Sequence, residues 1–399
     1  MLGAGCATDK AMIRRWFFPA LRWLRIVFIL LVDALISQRP ATRGNAALVM
    51  RLDAIGDFVI WLQSGAADIA IELRRTHPRV ILLANVAWAP LAAELHVWDE
   101  VIAVDPARFV RNLRYRIKTL AMVRRLGFSI AVQPRAARLF LLEDALVRVC
   151  GASVRVGSDA LSANMPAALK SFGDRGYSKI IPVPLAVTVH ESARGIAFAR
   201  GFCQSTGVVV PASQLAAPLG PPMVPLERFI VVAVGAGWSG RQWPIEKFAA
   251  LLSELHTTHG LLVVMVGSTA ERKLVLQLKA LTTARVADFC GRLSLAQSVR
   301  MIERAELLIA NESGPMHIGV WCGTPVLGLV GGGHFGWFAP YPENFSRIAP
   351  LQIAYRPMPC FHCNWHCKFE VAPGTAVPCV RDIDVRDVVL QARSLLRRA

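Results

Sequence analysis

The stretch Arg51-Leu-Asp-Ala-Ile-Gly-Asp-Phe-Val-Ile-Trp-Leu62 decides the fold. A strand-like apolar run, Ala47 to Met50, precedes it and an apolar helical pattern follows, so the Gly56-Asp57 corner is where the first strand of an α/β sheet hands over to its helix. Nucleotide-binding folds often place a glycine-rich, uncharged turn there, because backbone N–H groups and the helix N-terminus face phosphate. This chain places a carboxylate there. Asp57 is therefore either a cap of the helix N-terminus or a functional acid.

Outward from this corner, strand-like and helical patterns alternate. Ala47 to Met50 leads into a helix reaching about Thr76; then come Val80 to Ala84, a helix near Ala89, Val101 to Val104, a helix from Arg111 to Leu126, and Ser129 to Val132. Such alternation means a parallel sheet with crossover helices. The segment from about Gly157 to Pro225 is richer in Pro, Gly and Ser and is expected to hold a domain junction. A second series follows: Phe229 to Val234, a helix from Pro244 to His256, Leu261 to Val266, a helix after Ser268, a short strand near Val286, a helix from Ser294 to Arg304, Leu307 to Ala310, a helix from Pro315, and Val326 to Val330. A last helix is expected from about Val385 to Arg398. The fold class is α/β, two Rossmann-like halves with a cleft between them. The expected domains are 45–220 and 221–399, preceded by a basic helix and linker over 1–44. A length of 399 residues also favours two domains over one core.

Composition narrows the partners. A hydrophobic content of 54% excludes disorder, and 45 Lys and Arg against 28 Asp and Glu give a net charge of +17, which calls for an anionic partner. No basic run is interleaved with aromatics as in nucleic-acid modules, so nucleic acid ranks last. From Ile13 to Leu35, the residues Ile13, Phe17, Leu21, Leu24, Phe28, Leu31 and Leu35 form one helical stripe, while Arg14, Arg15, Arg22 and Arg25 share another face. This pattern suits a helix lying in a membrane interface. Arg22, Arg25 and Asp33 interrupt the segment and argue against a span, which needs roughly 20 apolar residues. A packed or coiled helix is the other reading of the stripe. No small-residue cleavage site follows, so a signal peptide fits poorly.

Residues just after the strands are the site candidates. After Val234 comes Gly235-Ala-Gly-Trp-Ser-Gly-Arg-Gln-Trp-Pro244. It matches a dinucleotide fingerprint formally, but its helix opens at Pro244 rather than at the glycines, and no acid follows the next strand. A mobile phosphate loop fits better, with Ser239 and backbone N–H groups as donors and Arg241 as the bidentate charge; a plain turn with a solvated arginine is the alternative. After Ala310 comes Asn311-Glu-Ser-Gly-Pro-Met-His317, where Glu312, Ser313, Gly314 and His317 stand at a helix start able to receive a pyrophosphate. Cys360, Cys363, Cys367 and Cys379 form a local cluster with spacings suited to a structural zinc, less so to an iron–sulfur cluster, and alternatively to free thiols or a disulfide pair. The remaining cysteines are scattered, which favours a reducing, cytosolic setting.

The segments RLDAIGDFVIWL, GWSGRQWPIEKFAALL and NESGPMHIGVWCGTPVLGLVGGGHFGWFAPY, in this order and separation, resemble glycosyltransferase family 9, the ADP-heptose:lipopolysaccharide heptosyltransferases. The likeness covers about Ala47 to Leu396. It implies a GT-B fold and a metal-independent, inverting transfer of heptose from an ADP-sugar donor to lipopolysaccharide core or a similar lipid-linked anionic saccharide, with no cofactor for catalysis. Position by position, it makes Asp57 the general base and sets Arg241 at the ADP phosphates. Glu312, Ser313, Gly314 and His317 then fall at the adenosine ribose and phosphates, and Glu271 becomes a weaker adenosine contact. Glu312 stands where the family has Asp. Together with the basic helix, the resemblance implies a cytoplasmic enzyme peripheral to the inner face of the cytoplasmic membrane. A nucleotide-sugar or dinucleotide-binding protein without transferase activity, or a metal or redox sensor built on the cysteines, are the readings from other classes.

Overall fold

A computed structural model describes residues 23–397 except 43, 162–164, 205–206, 212–226, 344 and 346–349. The N-terminal positions Ile13, Arg14, Arg15, Phe17, Leu21 and Arg22 lie outside the described residues, as does Arg398. Helix α1 covers residues 23–37. The first half then runs β1 (Ala46–Arg51), α2 (Ile55–Leu62), α3 (Ala66–Arg74), β2 (Arg79–Asn85), α4 (Ala89–Glu94), β3 (Glu100–Val104), α5 (Pro106–Arg111), α6 (Leu113–Arg125), β4 (Phe128–Gln133), α7 (Glu143–Val149), β5 (Val154–Ser158), α8 (Ala167–Asp174), β6 (Lys179–Ile181) and α9 (Glu191–Phe202). The second runs β7 (Phe229–Ala233), α10 (Ile245–His259), β8 (Leu262–Met265), α11 (Arg272–Leu281), β9 (Val286–Asp288), α12 (Leu295–Glu303), β10 (Leu308–Asn311), α13 (Gly314–Cys322), β11 (Val326–Leu329), β12 (Leu351–Ala354), α14 (Pro378–Arg381) and α15 (Val385–Leu396).

Each half holds a parallel sheet, ordered β3-β2-β1-β4-β5-β6 and β12-β11-β10-β7-β8-β9. Counted from its own first strand, each is the doubly wound order 3-2-1-4-5-6. The central strands β1, β7, β10 and β11 are buried at every position, because helices cover both faces of a parallel sheet. The order reverses between β1 and β4 and between β7 and β10. Ligands settle at such switch points, beyond the carboxyl ends of the strands.

One long helix expected from the pattern is divided. The helix after Asp57 ends at Leu62 and restarts at Ala66, the break falling at Gly65 with φ of 141°. The helix expected over Arg111 to Leu126 is α6, which begins where the Asn112 side chain accepts the Tyr115 N–H at 3.0 Å, and a separate short helix, α5, precedes it. The Gly157 to Pro225 region, expected to hold a domain junction, also contains α8, β6 and α9 of the first half. The passage to the second sheet falls after Phe202 and includes residues outside the description. One apolar cluster covers the outer face of the first sheet (Leu48, Met50, Leu120, Val123, Leu146), and another that of the second (Val232, Phe248, Leu252, Val388, Leu395). The largest cluster draws on both halves, joining Phe58, Trp61, Trp88 and Phe198 with Met316, Ile318, Trp321 and Trp337.

Candidate functional site

The site forms where α2 and α13 meet. Both start at a switch point, and both carry glycine at the closest approach. A Cβ on Gly56 would stand 2.8 Å from the His317 ring Cδ2, and one on Gly314 would press on Ile55 Cγ2. A side chain at either position would force the facing His317 ring or Ile55 side chain to shift, so the Ile55-Gly-Asp57 and Ser313-Gly314 turns meet closely across one cleft. Asp57 sits on the first turn of α2, half-buried. Ala54 occupies the cap position with no side-chain cap bond, so Asp57 is not the cap residue. Its carboxylate forms no ion pair among the described residues.

Behind Asp57 lies a network of buried charges that sequence reasoning did not single out. Arg51 pairs with Asp53 at 2.7 Å and with Glu191 at 3.5 Å, and its guanidinium also donates to the Asp57 carbonyl at 3.4 Å. Arg135 reaches Asp53 at 3.5 Å and Glu143 at 2.7 Å. Glu191 also accepts from Arg194 at 3.2 Å and from the Trp337 indole at 3.2 Å, which ties α9 to a loop of the second half. Burial raises the Asp57 carboxyl above the usual range, with Arg135 opposing and Glu191 reinforcing the shift. Burial likewise raises Asp53, to about 7, against the pull of Arg51. Arg51 and Asp53 belong to the very stretch that decides the fold. Two charged residues closing a fully apolar strand were the available signal, but Glu191 and Arg135 are too distant in sequence to be paired with them from spacing.

Across the cleft, His317 is buried and its Nδ1 lies 2.8 Å from the Tyr341 hydroxyl. Burial, reinforced by His190 and Arg241, lowers its pKa to about 3. His317 is therefore neutral and meets a ligand as a hydrogen-bonding group, not as a charge. If the Tyr341 hydroxyl donates to Nδ1, the ring proton resides on Nε2, on the side that faces Gly56.

Arg241 supplies the charge. Its NH2 group donates to the Glu312 carbonyl at 2.6 Å and pairs with Glu312 Oε1 at 3.3 Å, and its guanidinium lies 4.8 Å from the Trp365 ring centroid. Its Nε is buried without a hydrogen-bond partner among the described residues, an unsatisfied donor at a cleft position. Glu312 is buried beneath it, its carboxyl raised to about 7 by burial against the pull of Arg241. Glu312 thus holds Arg241 rather than facing solvent. Asn311, also unforeseen, joins the two loops: its side chain accepts from Trp243 N–H at 3.0 Å and donates to the Val234 carbonyl at 2.7 Å.

Beside these groups opens a pocket of about 370 Å³ lined by Gly235, Gly267, Ser268, Glu271, Ser313 and Pro315, with Ile55 of the first half closing one side. Glu271 and Ser313 thus share one cavity. Glu271 also closes a capping box with Ser268, which fixes its carboxylate under Gly235 and Gly267. Ser239 lies elsewhere, in a separate depression with Gln242, Glu246 and Arg381, so the loop presents Arg241 and not Ser239 toward Glu312.

The cysteine segment packs on the same loops. Phe361 and Trp365 lie on Gly332, Gly331 and Gly333, and Asn364 accepts from His334 at 2.6 Å if that ring nitrogen carries the proton. Cys360, Cys363 and Cys367 are half-buried and Cys379 is buried; all four stand as free thiols. Burial raises the Cys379 thiol, and Cys363, Cys360 and Cys367 add to the shift. Among the described residues, however, no three His, Cys, Asp or Glu side chains are gathered around a point as ligands of one ion, and the tetrahedral zinc set expected from spacing is not drawn together. The segment's evident local contribution is to hold Trp365 over Arg241.

Two doubly wound parallel sheets, one in each half, make up the GT-B fold. Residues 212–367, less than half of the chain, match the family model Glycosyltransferase family 9 (heptosyltransferase), a stretch that takes in the second and third motifs quoted above but not the first. The chain is 23% identical over 164 residues, 40% of its length and 48% of the relative's, to the lipooligosaccharide heptosyltransferase 2 of Campylobacter jejuni. It thus spans about half the length of that curated relative. The glycosyl transferase family 9 structure from Veillonella parvula matches 90% of this chain and 99% of its own at 17% identity with a TM-score of 0.64. The E. coli heptosyltransferase WaaC with ADP-2-deoxy-2-fluoro heptose matches 89% and 100% at 16% identity with a TM-score of 0.60.

Proposed function

We propose that the protein is an inverting heptosyltransferase that moves heptose, or a related sugar, from an ADP-sugar to lipopolysaccharide core or a similar lipid-linked saccharide, at the inner face of the cytoplasmic membrane. The observation that supports this reading is the apposition of α2 and α13, where Gly56 meets His317 and Ile55 meets Gly314, with Ile55, Ser313 and Glu271 lining one pocket. Inversion needs a base on the acceptor side of the anomeric carbon and charge stabilisation on the leaving-group side. Asp57 takes the acceptor proton. Arg241 meets the departing diphosphate through the donors that Glu312 leaves unused, and His317 Nε2–H and the α13 N-terminus add neutral donors. Glu271 and Ser313 line the cavity suited to the adenosine. The family domain and the named relatives support the heptosyl class.

The deciding experiment is a donor screen with ADP-heptose and other nucleotide sugars against a deacylated core acceptor, product linkage being read by NMR. No turnover with any ADP-sugar, or tight NAD binding, would sink the reading.

Two further outcomes test the roles. Because the base must be ionised, kcat/KM should rise with pH along a limb lying above the ordinary carboxylate range of roughly 4. Glu191 is a like charge that raises Asp57, so Glu191→Gln should move that limb to lower pH; an unmoved limb disconnects Asp57 from it. Trp365→Ala removes the ring under Arg241 and should raise KM for the donor about 2- to 30-fold with a smaller change in kcat, the range expected for a cation–π contact.

A further inference from the structure

Helix α1 is held by one face only. Ile29, Asp33 and Ile36 are buried against α5, α6 and their surroundings, and Asp33 accepts two hydrogen bonds from Arg116, at 2.8 and 2.5 Å. The acid that interrupts the apolar segment is therefore an internal anchor. Leu24, Val27, Phe28, Leu31 and Leu35 fall on the opposite side of the helix, at steps of three and four, and are 65%, 50%, 54%, 59% and 65% exposed. Scattered surface leucines are ordinary, but a continuous stripe of large apolar side chains along one helix marks a docking face.

The surface beside the stripe is basic without counter-charge. From Pro106 to Arg125, α5 and α6 carry seven Lys and Arg and no Asp or Glu. Only Arg116 is turned inward to Asp33, whereas Arg108, Arg111, Arg114, Lys118 and Arg125 are exposed and form no ion pair among the described residues. Between α1 and α6 runs a groove of about 730 Å³ whose walls combine apolar Ile36, Pro40 and Met122 with Arg39, Lys118 and Arg125. An apolar stripe next to an apolar groove rimmed by unpaired cations is complementary to one kind of surface: acyl chains below anionic headgroups. Among the described residues no helix is long and apolar enough to cross a bilayer.

We infer that α1 and the α1–α6 groove form a seat for an anionic phospholipid membrane, with the stripe entering the leaflet and Arg39, Lys118 and Arg125 gripping headgroups. This deepens the membrane part of the proposed function, yet it stands on the geometry of α1 and α6, remote from Asp57 and Arg241.

The test is co-sedimentation of the full chain with vesicles of phosphatidylcholine alone and of phosphatidylcholine with phosphatidylglycerol. Binding should be strong only with phosphatidylglycerol and should weaken with salt. Lys118→Glu/Arg125→Glu should lower it at least about tenfold, as should Leu31→Glu/Leu35→Glu, all four sites being exposed and thermal midpoints serving as the check on folding. Equal binding to neutral vesicles, or unchanged binding by either folded variant, would overturn the seat. So would a dimer in vesicle-free solution that Leu31→Glu/Leu35→Glu dissolves, since the stripe would then be covered by a second copy. Transfer to a soluble deacylated acceptor, measured in parallel, should be unchanged in these variants, which separates failure of the seat from failure of the transferase reading.

Discussion

Asp57→Asn is expected to lower kcat by about 10²- to 10⁴-fold while leaving ADP affinity within a few-fold of the parent, because a general base acts on the acceptor proton and not on the nucleotide. The structure favours a clean result. Among the described residues Asp57 makes no ion pair whose loss would disturb the fold, and asparagine keeps the shape of the side chain. Burial already holds the carboxyl above its usual pKa, so the parent base is stronger than a free carboxylate and its removal correspondingly costly. Turnover assays with ADP-heptose and calorimetric titration with ADP separate the two effects. Retained turnover would remove Asp57 from the reaction, and equal loss of ADP binding would make it a structural residue of the cleft.

The second large effect is on stability. Arg51→Met should destabilise the protein by about 3–5 kcal/mol near neutral pH, the usual consequence of leaving buried partners of an ion pair uncompensated. Arg51 is 2% exposed and stands between Asp53 and Glu191, both buried. Without it two carboxylates face each other in a dry interior. A fall in the urea midpoint reads the loss, and Arg51→Met/Asp53→Asn should recover part of it by deleting one of the stranded charges; a single variant as stable as the parent would contradict the network. The pH dependence has a definite sign. Asp53 is raised in the folded state to about 7 from 3.8, so the protonated group favours folding, fully below about 4, and this contribution is lost as pH rises through 7. Lowering pH from 7 toward 5 should therefore lessen the penalty of Arg51→Met.

These residues show what a sequence carries and what it hides. The alternation of apolar runs revealed both sheets and the corner at Asp57, because strand and helix periods are local properties. The helix starts at Glu312 to His317 were legible for the same reason. The division of α2 from α3 was not, since a single glycine with positive φ leaves the apolar pattern unbroken across it. Short β6 and the helices α8 and α9 went unread within a segment whose Pro and Gly content pointed to a domain junction. Asp33 was read as a flaw in an apolar helix, and only its partner 83 residues away explains it. The Arg51, Asp53, Glu191 and Arg135 network and the Tyr341 support of His317 are likewise long-range, and spacing carries no record of them.

The apolar cluster shared by the two halves has a mechanical consequence. Swinging the halves apart like a hinge would expose Phe58, Trp61 and Trp88 on one side and Met316 and Trp321 on the other, at a penalty of about 2.5 kcal/mol per 100 Å² of apolar surface uncovered. Donor entry is then better served by small sliding of α2 along α13 than by wide opening, and a proteolytic cut in the segment after Phe202 would leave two fragments still clasped together.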